Sequence, residues 1–153
     1  MARTVAIGIQ DFEQVITNDY FYIDKTELIR EWWESGDSVT LVTRPRRFGK
    51  TLNMSMLEKF FSVEYAGKSE LFEGLRIWEN EKYHALQGTY PVICLSFARV
   101  KEMNYADTRD KICAILRNLV SVQYLHRYDA KMHENCFAMA FLHSRIMFSR
   151  SQQ

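Results

Sequence analysis

Residues 39–51 read Val39-Thr40-Leu41-Val42-Thr43-Arg44-Pro45-Arg46-Arg47-Phe48-Gly49-Lys50-Thr51, and this stretch decides the fold. Its opening part, Val39 to Thr43, is short and apolar or β-branched, as expected of a buried strand. The residues that follow the stretch recur at helical spacing and are apolar: Leu52, Met56, Leu57, Phe60 and Phe61. The sequence therefore predicts a strand, a basic loop and a helix in that order.

The loop closes with Gly49-Lys50-Thr51, the last triplet of a phosphate-binding loop. A helix N-terminus presents unpaired N–H groups and the positive end of the helix dipole, which favour an anion. In such a loop the glycine lets the backbone approach a phosphate, the lysine reaches the β- and γ-phosphates, and the hydroxyl binds Mg²⁺. The predicted ATP-binding residues are Arg44, Pro45, Arg46, Arg47, Phe48, Gly49, Lys50 and Thr51, with Thr51 also the predicted Mg²⁺ ligand.

The beginning of the loop departs from the common pattern. That pattern has a glycine five residues before Gly49, where this chain has Arg44. Left-handed backbone angles are costly for a residue other than glycine, and Pro45 directs Arg44 towards an extended conformation. From these residues alone, a solvated basic turn between strand and helix stays an open alternative to a nucleotide site.

Composition restricts the class of protein. The chain has 153 residues, of which 47% are hydrophobic and 25% charged, and this predicts one globular domain with a substantial core. The net charge of +1 gives no general attraction to nucleic acid. We find no apolar run near the roughly 20 residues of a membrane span. Three dispersed cysteines and the lack of a signal peptide lead us to expect a cytoplasmic protein.

Further elements are expected on both sides of the loop. Tyr20 to Ile23 predicts a short aromatic strand, and Asp24 is expected to start a helix with Glu27 as its capping partner. The apolar run from Val92 to Phe97 is typical of a central parallel strand buried on both faces. A long helix is expected from Asp107 to about His126. Helices alternating with buried strands predict an α/β protein with a parallel sheet.

Several ordered motifs resemble a known family, the predicted AAA-ATPase-like family of P-loop proteins. The resemblance runs from about residue 7 to about residue 101 and rests on Ile7–Phe12, Tyr22–Ile29, Thr43–Leu52, Ser55–Leu57, Phe60-Phe61, Leu71–Leu75 and Tyr90–Ile93. In that family the loop looks like Arg-Pro-Arg-Arg-Phe-Gly-Lys followed by Thr or Ser, so Arg44 is ordinary for the family. The resemblance implies a three-layer α/β/α P-loop NTPase fold that binds ATP and Mg²⁺.

The resemblance also implies what this chain lacks. Members of that family have a later hydrophobic strand that ends in acidic residues, and those acids hold Mg²⁺ and polarise the attacking water. Here Val92 to Phe97 runs into Ala98-Arg99. We therefore name no catalytic residue and expect an ATP-binding module with a truncated sheet and incomplete hydrolysis. Its family partners would be a nuclease-like domain or nucleic acid. The alternative function is a non-catalytic interaction or nucleic-acid-contacting module with a relic loop.

The end of the chain differs from the rest. We assign residues 1–135 to the N-terminal part of an AAA-ATPase-like domain, and residues 136–153 to an atypical tail without Asp or Glu. A frayed helix, a disordered tail and a frame-shifted end are the open interpretations. His126, His133 and His143 do not have the spacing of a helical metal site. Trp32 and Trp33 are expected to pack within the protein rather than to bind a ligand.

Overall fold

The computed structural model of the chain describes residues 4–5, 7–45, 47–122, 137–142 and 145–150. Within those ranges, its helices are α1 (Phe12–Thr17), α2 (Glu27–Ser35), α3 (Lys50–Phe61) and α4 (Tyr105–Val122), and its strands are β1 (Val39–Thr43), β2 (Val92–Ser96), β3 (Phe137–Leu142) and β4 (Arg145–Arg150). Short 3₁₀ helices occupy Val63–Tyr65, Ser69–Leu71, Arg76–Glu79 and Glu81–Leu86. The predicted mixture of helices and strands is thus confirmed, as is the strand–loop–helix order around the basic loop.

The four strands form one sheet in the order β1-β4-β3-β2. Strand β4 is antiparallel to both of its neighbours, while β2 and β3 are parallel. It follows that β1, β2 and β3 all run in the same direction, and that their carboxyl ends lie at the same edge of the sheet. The expectation of a parallel sheet is wrong for β4, because two intervening residues are too few for the crossover connection that parallel neighbours need.

The predicted burial of the strands also needs correction. Strands β1 and β2 end the sheet on opposite sides, so neither is central. In β1, Thr40 and Val42 are half-buried while the alternate side chains are exposed, with 54% of Val39 and 50% of Leu41 accessible to solvent. Apolar side chains on both faces of a strand indicate that two faces could be buried. They do not require that both faces be covered.

The tail forms strands rather than the helix that was one interpretation of it. Residues 137–142 and 145–150 provide β3 and β4, which fill the two positions between β1 and β2. Backbone pairing aligns Val39 with Ser149 and Thr43 with Arg145 on one side, and Val92 with Phe137 on the other. Strands β3 and β4 therefore join β1 and β2 into one sheet.

The hydrophobic core surrounds α3. Fully buried aromatic rings from α1, α3 and the segment after it meet there: Phe12 stacks on Phe72 at 5.3 Å between ring centres, and Phe60 meets Phe72 edge to face at 5.0 Å. From α2, Trp32 meets Phe61 edge to face at 5.3 Å, and Trp33 stacks on the same ring at 5.8 Å. The prediction that both tryptophans pack within the protein is confirmed.

The segment before α2 differs from its sequence prediction. Residues 20–23 form no strand. Their Tyr22 ring packs edge-on against Phe12 instead, at 5.5 Å. Helix α2 begins at Glu27 rather than at Asp24, since the Asp24 carboxylate accepts hydrogen bonds from the N–H and hydroxyl of Thr26 and from the N–H of Arg76. Asp24 thereby connects two segments of the chain instead of capping a helix.

The starts of α1 and α4 were not predicted correctly either. Helix α1 was not predicted; it begins at Phe12, and Asp11 caps it by accepting from the N–H of Glu13 at 3.2 Å. Helix α4 begins at Tyr105, and the side chain of Asn104 accepts from the N–H of Asp107 at 2.9 Å. Asn104 therefore caps α4, and the helix starts two residues before the predicted Asp107. The predicted end near His126 lies outside the described residues.

Replacing Thr26 by Val tests the junction between the segment before α2 and residues 76–79. The Thr26 hydroxyl is buried, donates to Asp24 at 2.7 Å and accepts from the N–H of Ile77 at 3.2 Å. Valine has nearly the same shape but leaves that buried N–H without an acceptor, so we expect the free energy of unfolding to fall by about 1–3 kcal/mol. Urea denaturation measures this change.

Thr17→Val is the matched control. The exposed Thr17 hydroxyl donates only to the carbonyl of Glu13 in its own helix, at 2.6 Å. Its loss should change stability by less than about 0.5 kcal/mol. Equal stability changes in the two variants would contradict the role assigned to Thr26.

Candidate nucleotide-binding site

The basic loop connects the carboxyl end of β1 to the first residue of α3. Gly49 caps α3 in a left-handed conformation with φ of 71°, and no side chain caps the helix. The Gly49 carbonyl accepts the N–H of Asn53 at 2.9 Å, as in a regular first turn. No described side chain accepts the N–H groups that precede Asn53 in this turn, and the end of the helix carries partial positive charge.

Lys50 is the first residue of α3 and one of its buried side chains, with 7% of its surface exposed. Its ammonium donates to the carbonyl oxygen of Arg44 and, at 3.2 Å, to that of Pro45. A buried ammonium needs such acceptors, because removing a charge from water is costly unless hydrogen bonds replace the hydration. The predicted phosphate-binding lysine thus lies against the backbone of its own loop.

The remaining loop residues are mostly open to solvent. Arg44, Pro45, Arg47 and Phe48 are exposed, and Arg46 lies outside the described residues. Arg47 has a φ of 70°, whereas Arg44 keeps an ordinary negative value. The left-handed angle expected to be costly at Arg44 is therefore found at Arg47, where it costs about 1–2 kcal/mol for an L-residue. Thr51 is half-buried in the first turn of α3.

Lys25 belongs to this site, although sequence reasoning did not select it. A Cβ atom added to Gly49 would lie 3.4 Å from the Lys25 ammonium nitrogen, so this cation sits at the N-terminus of α3. The residue lies in the Tyr22–Ile29 motif that contributed to the family resemblance. That motif carried no spacing that relates it to the loop, and only tertiary structure brings the two together.

The backbone on both sides of Lys25 is fixed by hydrogen bonds. The Lys25 N–H donates to the Tyr22 hydroxyl at 3.3 Å, and its carbonyl accepts the N–H of Leu28 at 3.0 Å. Next to it, burial raises the pKa of Asp24, but the N–H of Arg76 and the hydroxyl and N–H of Thr26 outweigh burial and lower that pKa below its usual value. Asp24 is therefore charged at neutral pH and already hydrogen-bonded.

The cations of the site lack ion-pair partners in the described part of the chain. Among the residues that the structure describes, no carboxylate forms an ion pair with Lys25, Arg44, Arg47 or Lys50. The four described strands contain no Asp or Glu, and no group of three or more potential metal ligands occurs in the described part of the chain. The arrangement suits an anion better than a metal ion bound by protein alone.

The comparison with protein families settles the relationship of the chain. A family model described as predicted AAA-ATPase matches residues 6–151. The chain belongs to the predicted AAA-ATPase family. The match extends through the tail at residues 136–153 as far as residue 151, well beyond the motifs quoted from the N-terminal two-thirds. The resemblance inferred from those motifs is thereby confirmed.

One curated relative of this AAA-ATPase family member is a protein of Azotobacter chroococcum mcd 1, named as an uncharacterized protein in the vnfD 5′ region. The two are 34% identical over 118 residues, which cover 74% of this chain and 21% of the relative. The chain thus spans about a fifth of the relative's length. No solved structure matches the chain. None of the described helices has both the length and the apolar character needed to cross a membrane.

Replacing Gly49 by Ala tests the left-handed cap of α3. Gly67 is the matched control, since its φ is 83° and a Cβ atom there would meet nothing within 4 Å. Both substitutions place an L-residue in a left-handed conformation, so we expect each to lower the free energy of unfolding by about 1–2 kcal/mol. Chemical denaturation measures both changes. A Gly49→Ala protein as stable as the wild type would show that the cap is not left-handed.

Proposed function

We propose that this member of the predicted AAA-ATPase family binds a nucleoside triphosphate through residues 44–51, with Mg²⁺ at Thr51, and does not complete hydrolysis by itself. The observation that carries the proposal is a group of cations at the N-terminus of α3, with which no described carboxylate forms an ion pair. These cations are Lys25, Arg44, Arg47 and Lys50. Like charges gathered at the positive end of a helix repel one another. A polyanion is the ligand that would relieve this repulsion.

The chemistry of binding follows from the loop. The phosphate oxygens would accept the N–H groups of the first turn of α3, which no side chain caps. Lys50 would exchange the carbonyl oxygens of Arg44 and Pro45 for charged phosphate oxygens. Hydrogen bonds between two charged groups are about twice as strong as neutral ones, so this exchange favours the bound state.

Mg²⁺ accompanies nucleoside triphosphates, and the chain offers one ligand of the right kind. The hydroxyl of Thr51 stands one residue after Lys50 in the first turn of α3, the position that such loops use for the ion. When bound, Mg²⁺ would neutralise charge on the β- and γ-phosphates. Thr51 would hold the ion on one side, and the phosphates themselves would supply further oxygen ligands.

The proposal of negligible hydrolysis rests on the residues at the sheet edge. Strands β1, β2 and β3 end at the edge where the loop begins, with Thr43, Ser96 and Leu142 as their last residues. Arg44, Phe97 and His143 follow these residues in the sequence, so an acid is absent there as well. Transfer of a phosphoryl group to water needs a residue that orients the water and a second protein ligand for the metal. Neither is supplied from these strand ends.

A non-catalytic module with a relic loop is the alternative function. One observation fits it: the Lys50 ammonium is already satisfied by carbonyl groups of its own loop. A relic loop would keep that arrangement in the presence of nucleotide. Nucleotide affinity therefore separates the two functions. A nuclease-like partner domain, contact with nucleic acid and a cytoplasmic location stay predictions.

Replacing Lys50 by Ala tests nucleotide binding. The variant loses a charge-assisted contact worth about 1.5–3 kcal/mol, so Mg-ATP affinity should fall about ten- to a hundredfold. Isothermal titration calorimetry measures this change. Lys68→Ala is the control, because Lys68 pairs with Glu13 at 2.6 Å and lies 5.3 Å from the Tyr65 ring, beyond the other end of α3. Equal ATP affinity in wild type and Lys50→Ala would refute nucleotide binding at the loop.

Phosphate release from Mg-ATP tests the second half of the proposal. We expect the purified chain to bind ATP and to release phosphate no faster than Lys50→Ala does. Loss of groups that stabilise transition-state charge costs about a hundred- to a thousandfold in rate for each group. Turnover at about 1 s⁻¹ or above, abolished by Lys50→Ala, would mean that another acid supplies the missing function.

A further inference from the structure

We propose that Lys25 is a second phosphate-binding residue of the loop, contacting the polyphosphate from the side of the segment before α2. This inference rests on the proposed function, since it assigns a further residue to the same nucleotide site. It concerns a residue outside the loop motif, brought to the site only by the fold. The class of ligand is an inorganic or nucleoside polyphosphate.

The position of Lys25 is the first support. Its ammonium nitrogen lies 3.4 Å from the place where a Gly49 side chain would begin. Gly49 caps α3, and in a phosphate loop the backbone N–H groups around this glycine cradle the phosphates. A cation beside that backbone can therefore reach a phosphate without a rearrangement of the main chain.

The second support is the way in which the segment is held. Thr26 is fully buried, and its hydroxyl bonds both Asp24 and the N–H of Ile77. The other oxygen of Asp24 accepts the N–H of Arg76 at 2.8 Å. Lys25 stands between these two anchored residues with an exposed side chain. A fixed backbone under a long side chain directs the charge towards one place and lowers the entropy lost on binding.

Charge is the third support. In the described part of the chain, Lys25 has no ion-pair partner, and its neighbour Asp24 is hydrogen-bonded to Thr26 and Arg76 instead. Placing a lysine ammonium next to Gly49, at the positive end of α3, is unfavourable without an anion. A lysine that served only solubility would gain nothing from this position. Bound polyphosphate turns the same position into a favourable one.

The test is a graded series at one position, Lys25→Arg, Lys25→Met and Lys25→Glu, titrated with Mg-ATP and with Mg-tripolyphosphate by calorimetry. Lys25→Met should lower the affinity for both ligands about tenfold. Lys25→Arg should lower it less, and Lys25→Glu more. Tripolyphosphate has no nucleoside, so a parallel loss for both ligands assigns Lys25 to the phosphates. The urea midpoint of Lys25→Met should be no lower than that of the wild type, because the side chain has no described partner in the fold and its charge adds to the repulsion at this end of α3.

Controls separate this inference from the proposed function. Lys68→Met removes the same single charge near the C-terminal end of α3 and should leave both affinities unchanged. If Lys25→Met binds both ligands as wild type does while Lys50→Ala is weakened, the role of Lys25 is wrong and the loop still binds nucleotide. If only the affinity for ATP falls, Lys25 contacts the nucleoside, and the proposed phosphate contact is wrong. If wild type binds neither ligand, the proposed function fails, and the role of Lys25 fails with it.

Discussion

Burial of α3 is the constraint on which the rest of the structure depends. The helix has 12 residues, and seven of them are buried: Lys50, Met54, Met56, Leu57, Lys59, Phe60 and Phe61. A helix with buried side chains on more than one face must be surrounded, and here α1, α2, β2 and the segment around Phe72 share that task. Each large apolar side chain contributes about 1.5–3 kcal/mol when fully buried. The basic loop consequently leads into the helix with the most buried side chains in the described part of the chain.

The two buried lysines of α3 show how differently one residue type can be used. Near the C-terminal end, Lys59 pairs with the Asp11 carboxylate at 3.0 Å and donates to the Tyr65 hydroxyl at 3.2 Å. Burial alone would lower the pKa of Lys59, but these two bonds raise it above the usual value. Lys59 thus joins α1 to α3. At the N-terminal end, Lys50 has only neutral carbonyl partners, which charged oxygens could replace.

Local signals allowed the centre of the structure to be predicted from sequence. The run from Val39 to Thr43, the triplet ending at Thr51 and the spacing of the following apolar residues each depend on neighbours along the chain, and they placed β1, the loop and α3 correctly. The start of α4 was misassigned to Asp107, whereas Asn104, three residues earlier, caps the helix with the same kind of side-chain oxygen. The start of α2 was misassigned because Asp24 serves a distant N–H group, that of Arg76.

Tertiary relationships could not be obtained in the same way. The neighbour of a strand is not encoded in its own apolar pattern, so β1 was expected to be buried and β2 to be central, whereas both lie at the ends of the sheet. The tail has no clean period, and pairing with β1 and β2 decides its conformation. Lys25 is the clearest case for the candidate site. Its proximity to Gly49 depends on how the start of α2 meets the start of α3, which no spacing in the sequence records.

The strand order has a consequence for synthesis of the chain. Val39 pairs with Ser149. Strand β1, which leads into the loop, therefore has no neighbouring strand until β4 has been synthesised. Translation at roughly 5–20 residues per second leaves that strand unpaired for several seconds after it leaves the ribosome. Contacts so distant in sequence also form slowly by themselves. The helical core around α3 can therefore assemble first, with the sheet closing as the final event of folding.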